Sequence, residues 1–344
     1  MKAAVYHGPR DLRVESIDDP VLQPGDALLK VGFCGVCGTD VKTYLRGHHM
    51  FPPPCVLGHE VVGKIVEMKE PLSTTDIRVG DVVAVAPYVP CYSCTLCSHD
   101  RHELCRHKDW IDGAFAEYVR APAGVLQKGT CKVPPGMDPR VACLSEPLAC
   151  CVNAVTDSRV SLGDTVLIIG SGPMGLLMLE LCKAVGASRV LVSEPNEWRR
   201  SEAEQRGAIV ASPLDSDVPA WIRDHTDGEG ADIVFICVGT ADAVKVGMDS
   251  VRQGGLVNIF GGLPSGSELA IDSKRLHYDE VTLTGSFGFT PYHFRTALAM
   301  LASGGVHSSG LITHEYAIND ARTALETAGS GEGLKILLKV DGDE

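Results

Sequence analysis

Thiols, imidazoles and carboxylates at short spacings can grip a metal ion, and this chain offers two such groupings. Cys91, Cys94, Cys97 and Cys105 form C-x2-C-x2-C-x7-C. Four thiolates in so short a segment can surround one Zn2+ tetrahedrally with no open position, as a structural site does. Pro90 to Arg106 contains little apolar material, so the metal would hold this lobe together. The second grouping is scattered: Cys37-Gly38-Thr39-Asp40, Gly58-His59-Glu60 and Ser145-Glu146-Pro147-Leu148. A thiolate, an imidazole and a carboxylate from separate segments leave a position for substrate oxygen, which a catalytic zinc needs. Cys143, Cys150 and Cys151 lie near Glu146 as rival ligands, although small thiols also suit a core. The 13 cysteines are an odd number, a poor fit to a disulfide framework.

A third pattern, Gly170-Ser171-Gly172-Pro173-Met174-Gly175, is a G-x-G-x-x-G between an apolar run and a helical stretch. Its glycines let backbone N–H groups approach a pyrophosphate, and the helix N-terminus adds partial positive charge. Glu194 closes the next apolar run. Its carboxylate can accept hydrogen bonds from a ribose diol and would repel a 2′-phosphate, which favours NAD over NADP. Arg199 tempers that preference, since a nearby arginine can accommodate the phosphate.

Elements to position these groups are legible. Short β-branched runs at Ala27 to Val31, Val61 to Glu67 and Asp81 to Ala86 predict an all-β region with loops over the first 150 residues. Cys37 and His59 then fall at strand-to-loop junctions. Beyond residue 154 apolar strands alternate with amphipathic stretches, the βαβ pattern of a parallel sheet. Six strands are predicted: 165–169, 189–193, 208–211, 232–238, 255–260 and 281–284, with a helix over 172–185 stopped by Gly186. A helix near 291–302 and a strand at 335–340 follow, and this tail is expected to rejoin the first domain. The reading is an α/β chain with domains at 1–153, 154–285 and 286–344, the last returning to the first.

With 344 residues, 44% hydrophobic and 22% charged, the chain has globular composition and room for two domains. Lys+Arg 31 against Asp+Glu 44 gives a net charge of -13, which disfavours nucleic acid and acidic membrane partners. The longest apolar stretch, Val166 to Val185, is broken by Gly170, Gly172, Pro173 and Gly175, so no membrane span is expected. Met1 to Arg10 has no secretory pattern, and a cytoplasmic location is expected.

The motifs occur in one order: Cys37 to Asp40, Gly58-His59-Glu60-Val61-Val62-Gly63, the cysteine lobe, Gly113-Ala114-Phe115-Ala116-Glu117-Tyr118 and the glycine fingerprint. Together they resemble the zinc-dependent medium-chain dehydrogenase/reductase family, the alcohol dehydrogenase-like proteins. Ser145-Glu146-Pro147-Leu148-Ala149 looks like its polyol, sorbitol and threonine dehydrogenase branch. The resemblance implies a GroES-like β domain interrupted by a Rossmann domain, with two zinc ions per chain. Cys37 and His59 would be catalytic-zinc ligands, and Glu60 and Glu146 would bind that metal directly or through water. Thr39 would relay the alcohol proton, and Asp40 would orient the histidine, a role that metal-site physics also asks for. Cys91, Cys94, Cys97 and Cys105 would hold the structural zinc. Relatives of this kind are usually homodimers or homotetramers.

Charge counting constrains the carboxylates. Zn2+ with one thiolate, one neutral histidine and one carboxylate is neutral, whereas a second carboxylate makes the set -1 and opposes negative charge on the substrate oxygen. One of Glu60 and Glu146 is therefore expected to yield, and the sequence leaves open which. The expected reaction moves hydride between a secondary alcohol of a polyol, sugar or cyclitol, including aminocyclitols, and NAD, with Gly239, Ser286 and Phe287 beside the nicotinamide. Lys42, Tyr44, His48 and His49 would line the substrate pocket. Only seven residues, Arg106 to Asp112, separate Cys105 from Gly113, fewer than relatives commonly have, which would leave room for a ring-shaped substrate. L-threonine or another small secondary alcohol is the alternative substrate. Two other classes stay in view: a zinc-free reductase of activated double bonds or quinones, and a non-catalytic nucleotide-binding protein.

Overall fold

The computed structural model describes residues 1–70 and 74–340, which form two compact units. One comprises Met1–Ala149, Phe289–Gly304 and the segment from Ser308 onward; the other comprises Cys150–Gly288 and Gly305–His307.

The main sheet of the first unit runs, edge to edge, Thr130–Lys132, Val82–Val85, Glu60–Met68, Ala27–Gly35, Lys335–Lys339 and Ile312–Ala317, with Tyr118–Ala121 also pairing Ala27–Gly35. Leu29, Val31, Val61, Ile65, Val83, Val85, Ile336 and Leu338 are buried in one core, while Lys64 and Val66, on either side of Ile65, are exposed. That alternation is what places a half-buried strand. The C-terminal strand lies antiparallel to Ala27–Gly35, with Leu337 opposite Gly35, so distant ends of the sequence become neighbours.

An all-β first region is too simple. Helices occupy Gly38–Arg46 and Ser145–Asp157, and the residues after Cys37 enter a helix rather than a loop. The helix start is hard to read because a cysteine, outside the usual N-cap set, supplies the cap. Val41, Thr43 and Tyr44 form the buried face of Gly38–Arg46. Tyr44 is 3% exposed and its hydroxyl donates to Glu326, which removes it from any pocket wall.

The second unit is a six-stranded parallel sheet in the order Ile209–Ala211, Arg189–Ser193, Thr165–Ile169, Ala231–Ile236, Val251–Ile259 and Thr282–Gly285. The order reverses beside the first strand in sequence, the doubly wound arrangement. Leu167, Leu191, Val234 and Val257 are fully buried, as strands covered on both faces must be. The helix Pro173–Ala184 has Pro173 in its first turn and is followed by Gly186 at φ +101°. Among the described residues no helix is long and apolar enough to cross a membrane.

Candidate active site and metal centres

Ligand atoms of Cys37, His59 and Glu60 all lie within 4.8 Å of one another. Two segments deliver them. Cys37 caps the Gly38–Arg46 helix, its Sγ accepting the Thr39 N–H at 3.4 Å, so the sulfur sits at the positive end of the helix. His59 and Glu60 follow Gly58, which holds φ +89°; a Cβ there would lie 2.3 Å from the Phe115 ring. Phe115 is fully buried and its N–H donates to Leu57 O, while the Ala114 N–H donates to Gly58 O. The Gly113 to Tyr118 motif is thus the wall behind Gly58-His59-Glu60.

One buried carboxylate ties the two segments together. Asp40 accepts the Cys37 N–H at 2.9 Å and the Gly58 N–H at 3.2 Å, and its Oδ1 lies 3.4 Å from His59 Nδ1. The last distance lacks hydrogen-bond geometry, so His59 Nδ1 is buried without a hydrogen bond. Burial works to strip the proton from His59, yet the neighbouring Asp40 and Cys37 outweigh it and hold the imidazole well above the ordinary histidine range. The field that favours this proton would equally favour a metal cation. A sulfur, a nitrogen and a carboxylate oxygen converging there are also the donors zinc accepts.

Glu60 carries a partner that sequence reasoning missed. Its two oxygens accept from Lys335 Nζ at 2.7 and 2.8 Å, and both side chains are almost wholly buried. Burial alone would lower the Lys335 pKa; the Glu60 carboxylate reverses this and raises it above the usual value. The available sequence signal is a lysine directly before the apolar run Ile336-Leu337-Leu338. Glu146 stands in the first turn of Ser145–Asp157, 7% exposed and outside the 4.8 Å grouping. Burial, opposed by His59 and reinforced by Glu60, pushes its carboxyl up to about 7. Cys143 and Cys151, the rival ligands, are buried with thiols directed at the Phe33 and Met174 carbonyls, and they and Cys150 lie outside the grouping.

The four lobe cysteines also converge, with Sγ–Sγ distances of 3.4 Å (Cys91–Cys105), 3.6 Å (Cys94–Cys97), 3.8 Å (Cys94–Cys105) and 4.0 Å (Cys91–Cys97). A tetrahedron of thiolates at about 2.3 Å from Zn2+ has sulfur edges of about 3.8 Å, so the cage fits that ion. Hydrogen bonds from Ser93 draw Cys91 down to about 5, whereas burial pushes Cys97 up to about 12. A cation between four such sulfurs would relieve the repulsion of thiolates held this close.

In the second unit Gly170 has φ +97°, and a Cβ on Gly175 would lie 1.9 Å from Gly170 O, so the third glycine sets the approach of helix to strand. A Cβ on Gly172 would meet only Arg199 Nη1, at 3.7 Å, which leaves that glycine's face open. Glu194 is 5% exposed and accepts the N–H groups of Ser171 at 2.8 Å and Asn196 at 2.9 Å, binding strand end to glycine loop. Arg199 begins beside this loop, its carbonyl accepting from Ser171 Oγ. Ser286 Oγ accepts from Asn258, Phe287 is exposed, and a Cβ on Gly239 would lie 2.4 Å from Gly262 O. An open cleft of about 650 Å³ in this unit, lined by Asp217, Arg223, Lys245 and Lys274 among others, contains none of the sequence-predicted site residues.

Residues 23–134 match the alcohol dehydrogenase GroES-like domain, and residues 173–303 match the zinc-binding dehydrogenase domain. The chain is 33% identical to a sorbitol dehydrogenase of Halalkalibacterium halodurans, covering 98% of this chain and 99% of that one. It is also 33% identical to an L-threonine 3-dehydrogenase of Thermococcus kodakarensis, covering 93% and 92%. A zinc-binding dehydrogenase of Sinorhizobium meliloti, solved with NADP bound, superposes with a TM-score of 0.90 at 32% identity over 98% and 99% of the two chains. Motif order, paired domains and full-length similarity agree: this chain belongs to the zinc-dependent, alcohol dehydrogenase-like medium-chain dehydrogenase/reductase family.

Proposed function

We propose that this enzyme oxidises a secondary alcohol of a polyol, sugar or cyclitol to the ketone, passing hydride to NAD. The observation that carries the reading is the convergence of Cys37, His59 and Glu60 ligand atoms within 4.8 Å, buttressed by buried Asp40. A zinc ion held by these residues would polarise the substrate hydroxyl as a Lewis acid. Asp40 fixes the histidine, Glu146 is the reserve carboxylate, and Thr39 at the helix start takes the hydroxyl proton outward. Cys91, Cys94, Cys97 and Cys105 hold the second, structural zinc.

The glycine loop from Gly170 to Gly175, with Pro173 and Met174, binds the dinucleotide pyrophosphate, and Glu194 reads the adenosine ribose. Its buried negative charge supports NAD. Arg199 Nη1 near Gly172, together with the NADP in the Sinorhizobium relative, supports NADP as the second reading. Gly239, Ser286 and Phe287 flank the nicotinamide. Sorbitol and L-threonine dehydrogenases among the relatives support a small hydroxylated substrate. The Cys105 to Gly113 connection is short, which supports room for a ring-shaped polyol. His48 and His49, stacked with ring centroids 4.6 Å apart, and Lys42 contribute polar groups to that pocket. A homo-oligomer in the cytoplasm completes the proposal, and Thr282–Gly285, an edge strand of its sheet, suits self-pairing. In domain terms 1–153 with 286–344 is catalytic and 154–285 binds the cofactor.

Metal analysis followed by NADH absorbance over acyclic polyols, cyclitols, L-threonine and simple alcohols tests the whole reading. About two zinc per chain and turnover of a polyol or cyclitol are expected. One zinc per chain would return the chain to the zinc-free reductases or to a nucleotide binder, and turnover of ethanol-sized alcohols alone would remove the polyol.

A further inference from the structure

The Glu60–Lys335 pair crosses a strand, and a missing side chain lets it do so. Glu60 sits opposite Gly35, and Gly35 sits opposite Leu337 on the far side of the same middle strand. A Cβ on Gly35 would lie 2.0 Å from Glu60 Oε2, so only glycine leaves the carboxylate a passage over the strand to Lys335. Lys335 Nζ also reaches Val36 O at 3.3 Å, which anchors the ammonium one residue before Cys37. Nothing about the sheet requires a buried cation here; an apolar residue would continue the core formed by Ile336 and Leu338.

We propose that Lys335 is a positioning residue for the catalytic centre: it restrains Glu60 and contributes the positive charge that lets two carboxylates attend one zinc. Zn2+ with the Cys37 thiolate, Glu60 and Glu146 sums to -1, and the Lys335 ammonium returns the set to zero. The site then tolerates negative charge developing on substrate oxygen without expelling a carboxylate altogether. Gly35 is the second half of the device, since it keeps the passage open.

The proposal rests on Cys37, His59 and Glu60 holding zinc, and the two fail separately: a wild type with one zinc per chain removes the metal reading before Lys335 is questioned. The test measures zinc retention against a competing chelator together with kcat per bound zinc, in wild type, Lys335→Met and Lys335→Arg. Removing the cation leaves the ligand set with one negative charge in excess, so Lys335→Met is expected to hold the catalytic zinc about tenfold more tightly, with kcat lower by about 10–100-fold. Lys335→Arg is expected to stay within about threefold of wild type in both, because the charge is kept. Looser zinc, or unchanged kcat per bound zinc, in Lys335→Met overturns the proposal, since a merely structural residue gives one of those results. Should Lys335→Met fail to fold, the double variant Lys335→Met with Glu60→Gln decides. It lacks the uncompensated buried charge and is expected to fold, and its failure to do so overturns the pairing argument.

Discussion

Asp40 shows how much one buried carboxylate can organise. It accepts from the N–H groups of Cys37 and Gly58 and faces the His59 ring, so it ties together the two segments that would supply the proposed ligand set. Groups behind metal ligands typically govern affinity by 10–100-fold. Asp40→Ala is therefore expected to weaken catalytic zinc binding and kcat/KM by about 10–100-fold. The same change should lower stability by about 1 kcal/mol through loss of the Asp40 half of the capping box. Zinc titration and thermal denaturation of the variant check both, with the zinc of the cysteine lobe unaffected. Glu194 holds the comparable place in the proposed cofactor site. Glu194→Gln keeps a hydrogen-bonding side chain but removes the charge, and is expected to shift the ratio of kcat/KM for NAD over NADP towards NADP by about tenfold or more. An unchanged ratio in coenzyme kinetics would assign the preference elsewhere.

Two elements separate function from folding by the space around single atoms. At the start of Pro173–Ala184, Gly175 packs against the strand, whereas Gly172 faces open space. Gly172→Ala is expected to fold with an unchanged Tm and bind dinucleotide at least about tenfold more weakly, because the pyrophosphate needs the backbone bare. Gly175→Ala is expected to lose stability first, its Cβ falling 1.9 Å from Gly170 O. Coenzyme binding and Tm measured on both variants discriminate the two roles. The cysteine lobe is the other element. Cys97→Ser opens the cage, so one zinc per chain should be lost and the segment around Cys91 to Cys105 should become the first site of proteolysis, while the Cys37 site keeps its ion. Cleavage mapping with metal analysis tests this.

At the scale of the whole molecule the metal sites couple to pH. Glu146 near 7 and a raised His59 mean that the metal-free native state holds protons the unfolded chain has already released. Stability therefore falls as pH rises, through about 4.5 to 7 for Glu146 and from about 6.5 upward through the raised value for His59. The lowered carboxyls Asp11, Asp81, Asp138 and Asp279 act in the opposite sense, and only at more acidic pH. In the proposed centre zinc would take the place of these protons, so its effect is expected to grow with pH. The rise in Tm on adding zinc to stripped protein is expected to be larger near pH 8 than near pH 5.5 by about 5 °C. An equal rise at both values would mean that the metal does not displace protons from these groups.

Parts of the molecule whose information is local can be read from residue order alone. Spacing along a few residues dictates the cysteine cage, and a glycine loop between strand and helix dictates the dinucleotide fingerprint, because each is built from one contiguous backbone segment. The strands of the parallel sheet were equally legible from their apolar runs, within a residue or a few at their ends. The helix behind Cys37 was not, since its cap is a thiol and its buried face, with Tyr44, is defined only by the C-terminal helix Ala321–Ser330 packed on it. Lys335 was invisible for the same reason. It lies 275 residues from Glu60 and becomes its partner only when the last strand enters the sheet beside Ala27–Gly35. Which strands become neighbours is settled by long-range packing, and the charge balance of the metal centre is settled with it.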